Sequence, residues 1–187
     1  MQDTFYVDSD LILRTHTSSV QIRAMLNIKS LPMKIVSVGK VYRRDQDVSH
    51  SPMFHQVEGF YIGKNVNFSE LKYTLYKFIQ HIFSINVSLR IRGSYFPFTE
   101  PSVEVDISCI CKSKDSSNCR LCKGNGWIEI MGAGMIHPNV LNTTGIDSNK
   151  YAGFAFGIGI ERVALLKYSI SDIRLFFEND VRFLAQF

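Results

Sequence analysis

The sequence predicts an α+β domain, an antiparallel sheet flanked by helices, and three observations carry that prediction. The run VYRRDQDVSHSPMFHQVEGF, Val41 to Phe60, alternates apolar and polar residues, breaks at the turn-prone stretch Gln46 to Pro52 and resumes at Met53, which is a strand, a loop and a returning strand. Val103, Val105 and Ile107 alternate with Glu104 and Asp106, and Trp127 to Met131 alternates in the same way, so these two runs are hairpin partners. Between the two pairs, Phe68, Leu71, Leu75, Phe78, Ile79 and Ile82 recur at helical spacing and form a core-facing stripe. Paired strands and one-sided helices bury their apolar faces against each other.

With 187 residues, 45% of them hydrophobic, the chain is long enough for one domain with a sizeable core. Its net charge of +4 permits contact with nucleic acid or nucleotide phosphates without demanding it. No run of 18 apolar residues occurs, so no membrane span is expected, and the start MQDTFYVDSD does not resemble a signal peptide; the reading is cytoplasmic. All four cysteines fall within residues 109–122, a clustering that favours a metal clip or local thiol group over a disulfide framework.

In chain order, Asp3 to Val7 and Leu11 to Thr15 read as short strand pieces about the turn Asp8-Ser9-Asp10. A helix follows, with Thr17 or Ser18 as N-cap and Val20, Ile22, Met25 and Leu26 as its apolar residues. Met33 to Val38 is an apolar strand ending at Gly39, and it feeds the Val41–Phe60 hairpin, whose first strand carries Arg43 and Asp45. Asn67 with Glu70 three residues later resembles a capping box, opening a helix expected to end near Ser84. Val87, Leu89 and Ile91 alternate with Ser88, Arg90 and Arg92, a half-buried strand with both arginines toward solvent.

Ser94 to Ser102, SYFPFTEPS, is too rich in proline for a central strand and reads as a shaped loop or an edge. In CICKSKDSSNCRLC, Cys119-x-x-Cys122 has zinc-knuckle spacing, whereas Cys109-x-Cys111 is one residue tighter; a structural Zn²⁺ and four reduced thiols on a hairpin tip at 109–122 both stay open. Glycine in Gly132-Ala133-Gly134 lets a backbone approach a ligand closely. Asp147 to Tyr151 is a polar turn or short helix start. Gly153 to Arg162 is a glycine-punctuated strand passing into an amphipathic helix with Val163, Leu165, Leu166 and Tyr168.

The Val41–Phe60 hairpin can hold a guanidinium, an amide and two carboxylates over one sheet face, which suits a phosphate and an amine gripped together. Its Tyr-Arg-x-Asp start and Met-Phe-His-Gln-x-Glu-Gly return resemble motif 2 of the class II aminoacyl-tRNA synthetases, in the form found in the alpha subunit of bacterial phenylalanyl-tRNA synthetase. Gly153 to Arg162, strand then helix and ending in Glu-Arg, resembles motif 3. The similarity runs from Asp3 to Phe187, and Thr-His-Thr-Ser, Phe-Pro-Phe and Gly-Met-x-His-Pro all have counterparts in that family.

That resemblance implies the class II catalytic-domain fold and activation of phenylalanine with ATP and Mg²⁺ to phenylalanyl-adenylate, followed by transfer to tRNA(Phe), within an alpha2beta2 enzyme with a beta subunit. It implies that Arg43 bridges the α-phosphate and the amino acid's carboxylate and that Arg162 meets the γ-phosphate, planar cations suited to charge building on phosphoryl oxygens. It places Asp45, Gly157 and Gly159 at the nucleotide, and His16, Ser18, Gln56 and Glu58 among the amino-acid contacts. Phe96 and Phe98 would stack around the substrate ring, Ala155 would face its para position, and Glu100 would hold Mg²⁺ shared with the beta subunit. The family's N-terminal coiled-coil arm and motif 1 have no counterpart here, so residues 1–187 read as a partial catalytic domain. The alternatives are a synthetase-like domain that binds phenylalanine or nucleotide without charging tRNA, and a zinc-stabilised nucleic-acid-binding module suggested by the cysteines and the basic charge.

Overall fold

The computed structural model describes residues 4–28, 30–47, 50–83, 87–109, 119 and 121–187. Its strands are β1 (Met33–Tyr42), β2 (Met53–Gly63), β3 (Leu89–Phe96), β4 (Thr99–Ser108), β5 (Trp127–Ile136) and β6 (Ala152–Gly159). They form one sheet in the order β1-β2-β6-β5-β4-β3, antiparallel throughout. The last strand in sequence thus lies in the middle, between the returning arm of the first hairpin and β5. That insertion places Gly157 opposite Glu58 on one side and Gly132 on the other.

One sheet face is apolar and covered by α1's longer successor, the helix α2 (Phe68–Phe83); α1 itself spans Ser19–Leu26. Leu71, Leu75, Ile79 and Phe83 of α2 are buried with Val103, Val105, Ile107, Met131, Phe154 and Ile158 of the sheet. Each such side chain contributes roughly 1.5–3 kcal/mol. The expected cap is present, Asn67 Oδ1 accepting from Glu70 N at 3.1 Å. Because alternate strand residues share a face, the opposite face carries Gln56, Glu58 and Phe60 beside Ala155, Gly157 and Gly159. Its one end is sealed by Met25 of α1, packed with Phe60, Ile62, Ile136, Leu141 and Ala155. Beyond that end Gln56, Gly132, Gly157 and Gly159 are only partly buried. A short helix, α3 (Pro138–Thr143), follows β5, and α4 (Ile160–Tyr168) follows β6. The chain closes with a 3-10 turn, Ile173–Phe176, and α5 (Val181–Leu184), which pack Ile173 and Phe183 against Leu165.

Several expectations need correction. β1 does not stop at Gly39; it runs through to Tyr42, and the Arg14 side chain lies where a Cβ at Gly39 would be, donating from Nε to Lys40 O at 2.6 Å. Arg43 and Asp45 therefore lie past the strand, not on it. In α1 the inward positions are Gln21 and Met25, while Ile22 and Leu26 are exposed. Of the two readings of Ser94 to Ser102, the edge holds and the loop does not: β3, the edge strand, reaches Phe96, and a tight turn leads to β4 at Thr99. Pro101 fits because the ladder is irregular between Thr99 and Ser102, where a missing N–H breaks no regular rung. The N-terminal pieces make a single bridge, Tyr6 to Ile12. Asp3, the helix end at Ser84 and Cys111 lie outside the described residues.

Candidate active site

Glu58 is the centre of the open face. It is buried, and its carboxylate accepts three hydrogen bonds from α1 and the residues leading into it. Thr17 Oγ1 donates to Oε2 at 2.7 Å, and Ser18 Oγ and Gln21 Nε2 each donate to Oε1 at 2.6 Å. Ser18 stands at the helix N-cap position, yet its side chain makes no cap bond; the stronger, charge-assisted acceptor takes the hydroxyl instead. All three partners are neutral, and among the described residues no cation of the chain forms an ion pair with Glu58. The arrangement orients a carboxylate without neutralising it.

His16 is the next residue outward. Burial pushes its imidazole below the ordinary range, Glu58 pulls it up and Arg43 pushes it down, with burial the largest effect. The ring is therefore neutral at pH 7. Its Nδ1 is buried without a hydrogen-bond partner among the described residues, as is Gln56 Oε1. Buried polar atoms are normally paired, so two such orphans beside one buried carboxylate mark a place for a polar ligand.

An aromatic wall borders this polar corner. The His16 ring is 5.8 Å from that of Phe98, and Phe98 stacks on Phe96 at 6.1 Å with 14° between planes. The glycine row makes the space: a Cβ at Gly132 would lie 2.8 Å from Phe96 Cζ, and one at Gly157 2.7 Å from Gln56 Nε2. Glu58, Gly157 and Gly132 are register partners across three strands, so the polar corner and the wall share one floor.

The two arginines stand at the edge of the open face, Arg43 against Phe54. The Arg43 guanidinium lies 5.2 Å from the Phe54 ring centre and its Nε donates to Thr15 O at 3.1 Å. Gly159 faces the same ring from β6. Arg162 opens α4 and donates from Nε to Glu129 O at 2.8 Å. Its neighbour Glu161 is buried and accepts from His55 N at 2.9 and 3.0 Å, with His55 Nδ1 2.6 Å away. That clasp ties the start of α4 to β2 and so fixes where Arg162 stands.

Arg90 and Arg92 are not simply solvent-facing. Asp106 is buried, and Arg90 Nε and Arg92 Nε donate to its Oδ2 at 2.8 and 2.7 Å. Arg92 also meets Glu104 at 2.9 Å and Glu129 at 3.1 Å. The hydrogen-bonded Arg92 guanidinium holds the Asp106 carboxyl below the usual carboxylate range. This network stiffens the β3-β4-β5 side of the floor.

Of the residues expected from sequence, His16, Ser18, Gln56, Glu58, Phe96, Phe98 and Gly157 come together, with Arg43, Gly159 and Arg162 along the neighbouring edge. Ala155 shares the face, opposite Phe60 and Gly134, but is buried among apolar neighbours one row from Glu58. Asp45 is exposed in the turn after β1, 3.8 Å from His50 Nδ1, and Glu100 is exposed at the rim, 3.2 Å from His137 Nε2. Cys109, Cys119 and Cys122 lie together at the far end of β4 and β5. Gln21 and the Thr17 contact to Glu58 were missed. The only trace of Gln21 is its spacing of four from Met25, which puts both on one helix face.

The family described as tRNA synthetases class II core domain (F) matches residues 1–187. The phenylalanine-tRNA ligase alpha subunit of Lawsonia intracellularis is 56% identical over 191 residues, covering 100% of this chain and 55% of that protein. Those of Syntrophotalea carbinolica and Pseudomonas fluorescens are 56% and 54% identical over 188 residues, each covering 100% of this chain and 54% of the relative. The chain thus spans about half the length of these relatives. Among solved structures, the pyrrolysyl tRNA synthetase PylSc of Desulfitobacterium hafniense superposes with a TM-score of 0.63 at 16% identity, over 92% of this chain and 56% of that one. At that identity the likeness is one of fold. No helix among the described residues is long and apolar enough to cross a membrane.

Proposed function

The chain belongs to the class II tRNA synthetase core-domain family, and on that premise we propose that its open sheet face joins phenylalanine to ATP as phenylalanyl-adenylate, for transfer to tRNA(Phe) in a complex with a beta subunit. The observation that supports this most is Glu58, a buried carboxylate held by three neutral donors beside an aromatic wall. A free amino acid with an aromatic side chain has the complementary parts: an ammonium for the carboxylate and a ring for the wall.

In this reading the substrate ammonium pairs with Glu58, and neutral His16 accepts a further N–H at Nδ1, which has no partner among the described residues. The substrate ring lies against Phe98 and Phe96, where aromatic contact adds about 0.5–1.5 kcal/mol beyond area burial. Arg43 holds the substrate carboxylate against the α-phosphate. A carboxylate oxygen then attacks phosphorus, the bond to the β-phosphate oxygen breaks, and pyrophosphate leaves with the electron pair. Arg162 holds the γ-phosphate, Asp45 meets the nucleotide from the hairpin turn, and Gly157 and Gly159 leave it room. The acceleration comes from in-line positioning and fixed positive charge. Glu100, exposed at the rim beside His137, would hold Mg²⁺, which takes one or two carboxylates plus substrate phosphates and would supply charge neutralisation there.

The test is phenylalanine-dependent exchange of pyrophosphate into ATP by the protein paired with its beta subunit. Exchange above background supports the reading. Tight phenylalanine binding without exchange would make the chain a non-charging relative instead.

A further inference from the structure

We propose that Cys109, Cys119 and Cys122 form a zinc-thiolate site that staples the open end of the β4-β5 hairpin. The sulphurs all lie within 4.8 Å of one another, and Cys109 Sγ is 3.7 Å from Cys119 Sγ. Thiolates about 2.3 Å from a tetrahedral zinc ion stand roughly 3.8 Å apart, whereas a disulfide needs about 2.05 Å. The 3.7 Å spacing matches two ligands on one ion and is far too long for a disulfide.

The backbone is shaped to hold it. Cys109 directly follows β4, and its N–H donates to Gly126 O at 2.8 Å, which adds a rung beyond the strand end. From the other side, Lys123 N donates to Cys119 O at 2.8 Å and Asn125 N to Cys122 O at 2.9 Å, so the chain turns tightly at residues 121–125. That turn places Lys123 at φ 48° and Gly124 at φ 85°, left-handed conformations that a lysine adopts only when its surroundings over-determine them. Cys122 is buried, and Cys109 and Cys119 pack at the edge of the main core. Soft thiolates in a closed setting select zinc over the hard cations. The three ligands leave one coordination position for a fourth.

This site does not depend on the amino-acid reading, because metal content and amino-acid activation are measured separately. Elemental analysis of the reduced protein in its natural length, after gel filtration, should give about one zinc per chain. Cobalt exchanged into the site should show thiolate charge-transfer absorption and the visible bands of a tetrahedral centre. Cys122→Ser should lose at least nine-tenths of the metal; because Cys122 is buried and its replacement also disturbs the core, Cys119→Ser, at a half-buried position, provides the same test with folding intact. Chelation should lower the melting temperature of the wild type and leave that of Cys119→Ser unchanged. Zinc-free protein that takes up no cobalt, equal zinc in wild type and variants, or a Cys109–Cys119 disulfide in peptide mapping without reductant would each overturn the proposal.

Discussion

Glu58→Gln separates a binding carboxylate from a structural one. Glu58→Ala would confuse the two, since it strands the buried Thr17 hydroxyl and Gln21 amide, each unpaired group costing about 1–3 kcal/mol. Glutamine keeps the shape. Its carbonyl oxygen accepts from Ser18 and Gln21 as Oε1 does now, and its amide faces Thr17 Oγ1, a hydroxyl that can rotate to accept instead of donate. The variant also removes a buried charge that no cation of the chain offsets among the described residues, so its melting temperature should match or exceed the wild-type value. Binding should behave differently. An ammonium brought against a neutral amide loses its ion pair, and breaking a buried pair costs about 3–5 kcal/mol. At 1.4 kcal/mol per tenfold, that weakens phenylalanine binding by roughly two to three and a half orders of magnitude. Titration calorimetry with phenylalanine, alongside thermal unfolding, reads both. A Kd within about threefold of wild type with unchanged stability would refute the assignment of Glu58 to the amino group.

Arg43→Ala and Arg162→Ala should each lower adenylate formation at least about a hundredfold, as loss of a fixed phosphate-binding cation worth roughly 3 kcal/mol requires, with melting little changed; near-normal pyrophosphate exchange in either variant removes that arginine from the site. Because burial lowers the His16 pKa, folding takes up the neutral ring. Its contribution is complete above the unfolded value of about 6.5 and is lost as pH falls through the lower folded value; urea unfolding from pH 7.5 to about 5 should therefore show a shallower acid loss in His16→Gln, and parallel curves would contradict the buried-neutral description. Asp106→Ala should destabilise by about 1.5–3 kcal/mol through the lost charge-assisted bonds, tempered because Arg90 and Arg92 can turn to water; denaturant midpoints measure it. Ala155→Gly should raise the ratio of kcat/KM for para-chlorophenylalanine over phenylalanine by opening space at the para carbon, whereas a small stability loss with an unchanged ratio would leave Ala155 a packing residue.

Local pattern carried much of the fold into view. The stripe from Leu71 to Ile79 in α2, the partnership of β4 with β5 and the passage from β6 into α4 each depend on residues close in sequence or on simple alternation. The failures share a physical cause, which is that a period states which residues face together but not what they face. In α1, Ile22 and Leu26 are the more apolar pair, yet Gln21 and Met25 turn inward because a buried carboxylate and an apolar pocket wait on the sheet beneath them. Arg90 and Arg92 alternate as solvent-facing residues should, but β4 brings a buried Asp106 alongside, and opposite charge at that register holds them down.

The same limit applies to the floor of the site, where motif resemblance could place Gly157 and Gly132 near a ligand without explaining why glycine must stand there. The register supplies the reason. With β6 inserted between β2 and β5, both glycines fall in the row of Glu58, and the Gln56 amide and Phe96 ring already occupy the space a side chain would need. The glycines thus serve two protein side chains before they serve any ligand: one leaves room for the Gln56 amide, whose oxygen has no partner among the described residues, and the other leaves room for the Phe96 ring of the aromatic wall. Register sets Glu58 and the two glycines in one row, the α1 segment fixes the carboxylate and the β3-β4 hairpin carries the rings, so polar corner and aromatic wall stand over one floor, as a site that selects an amino acid by its two ends requires.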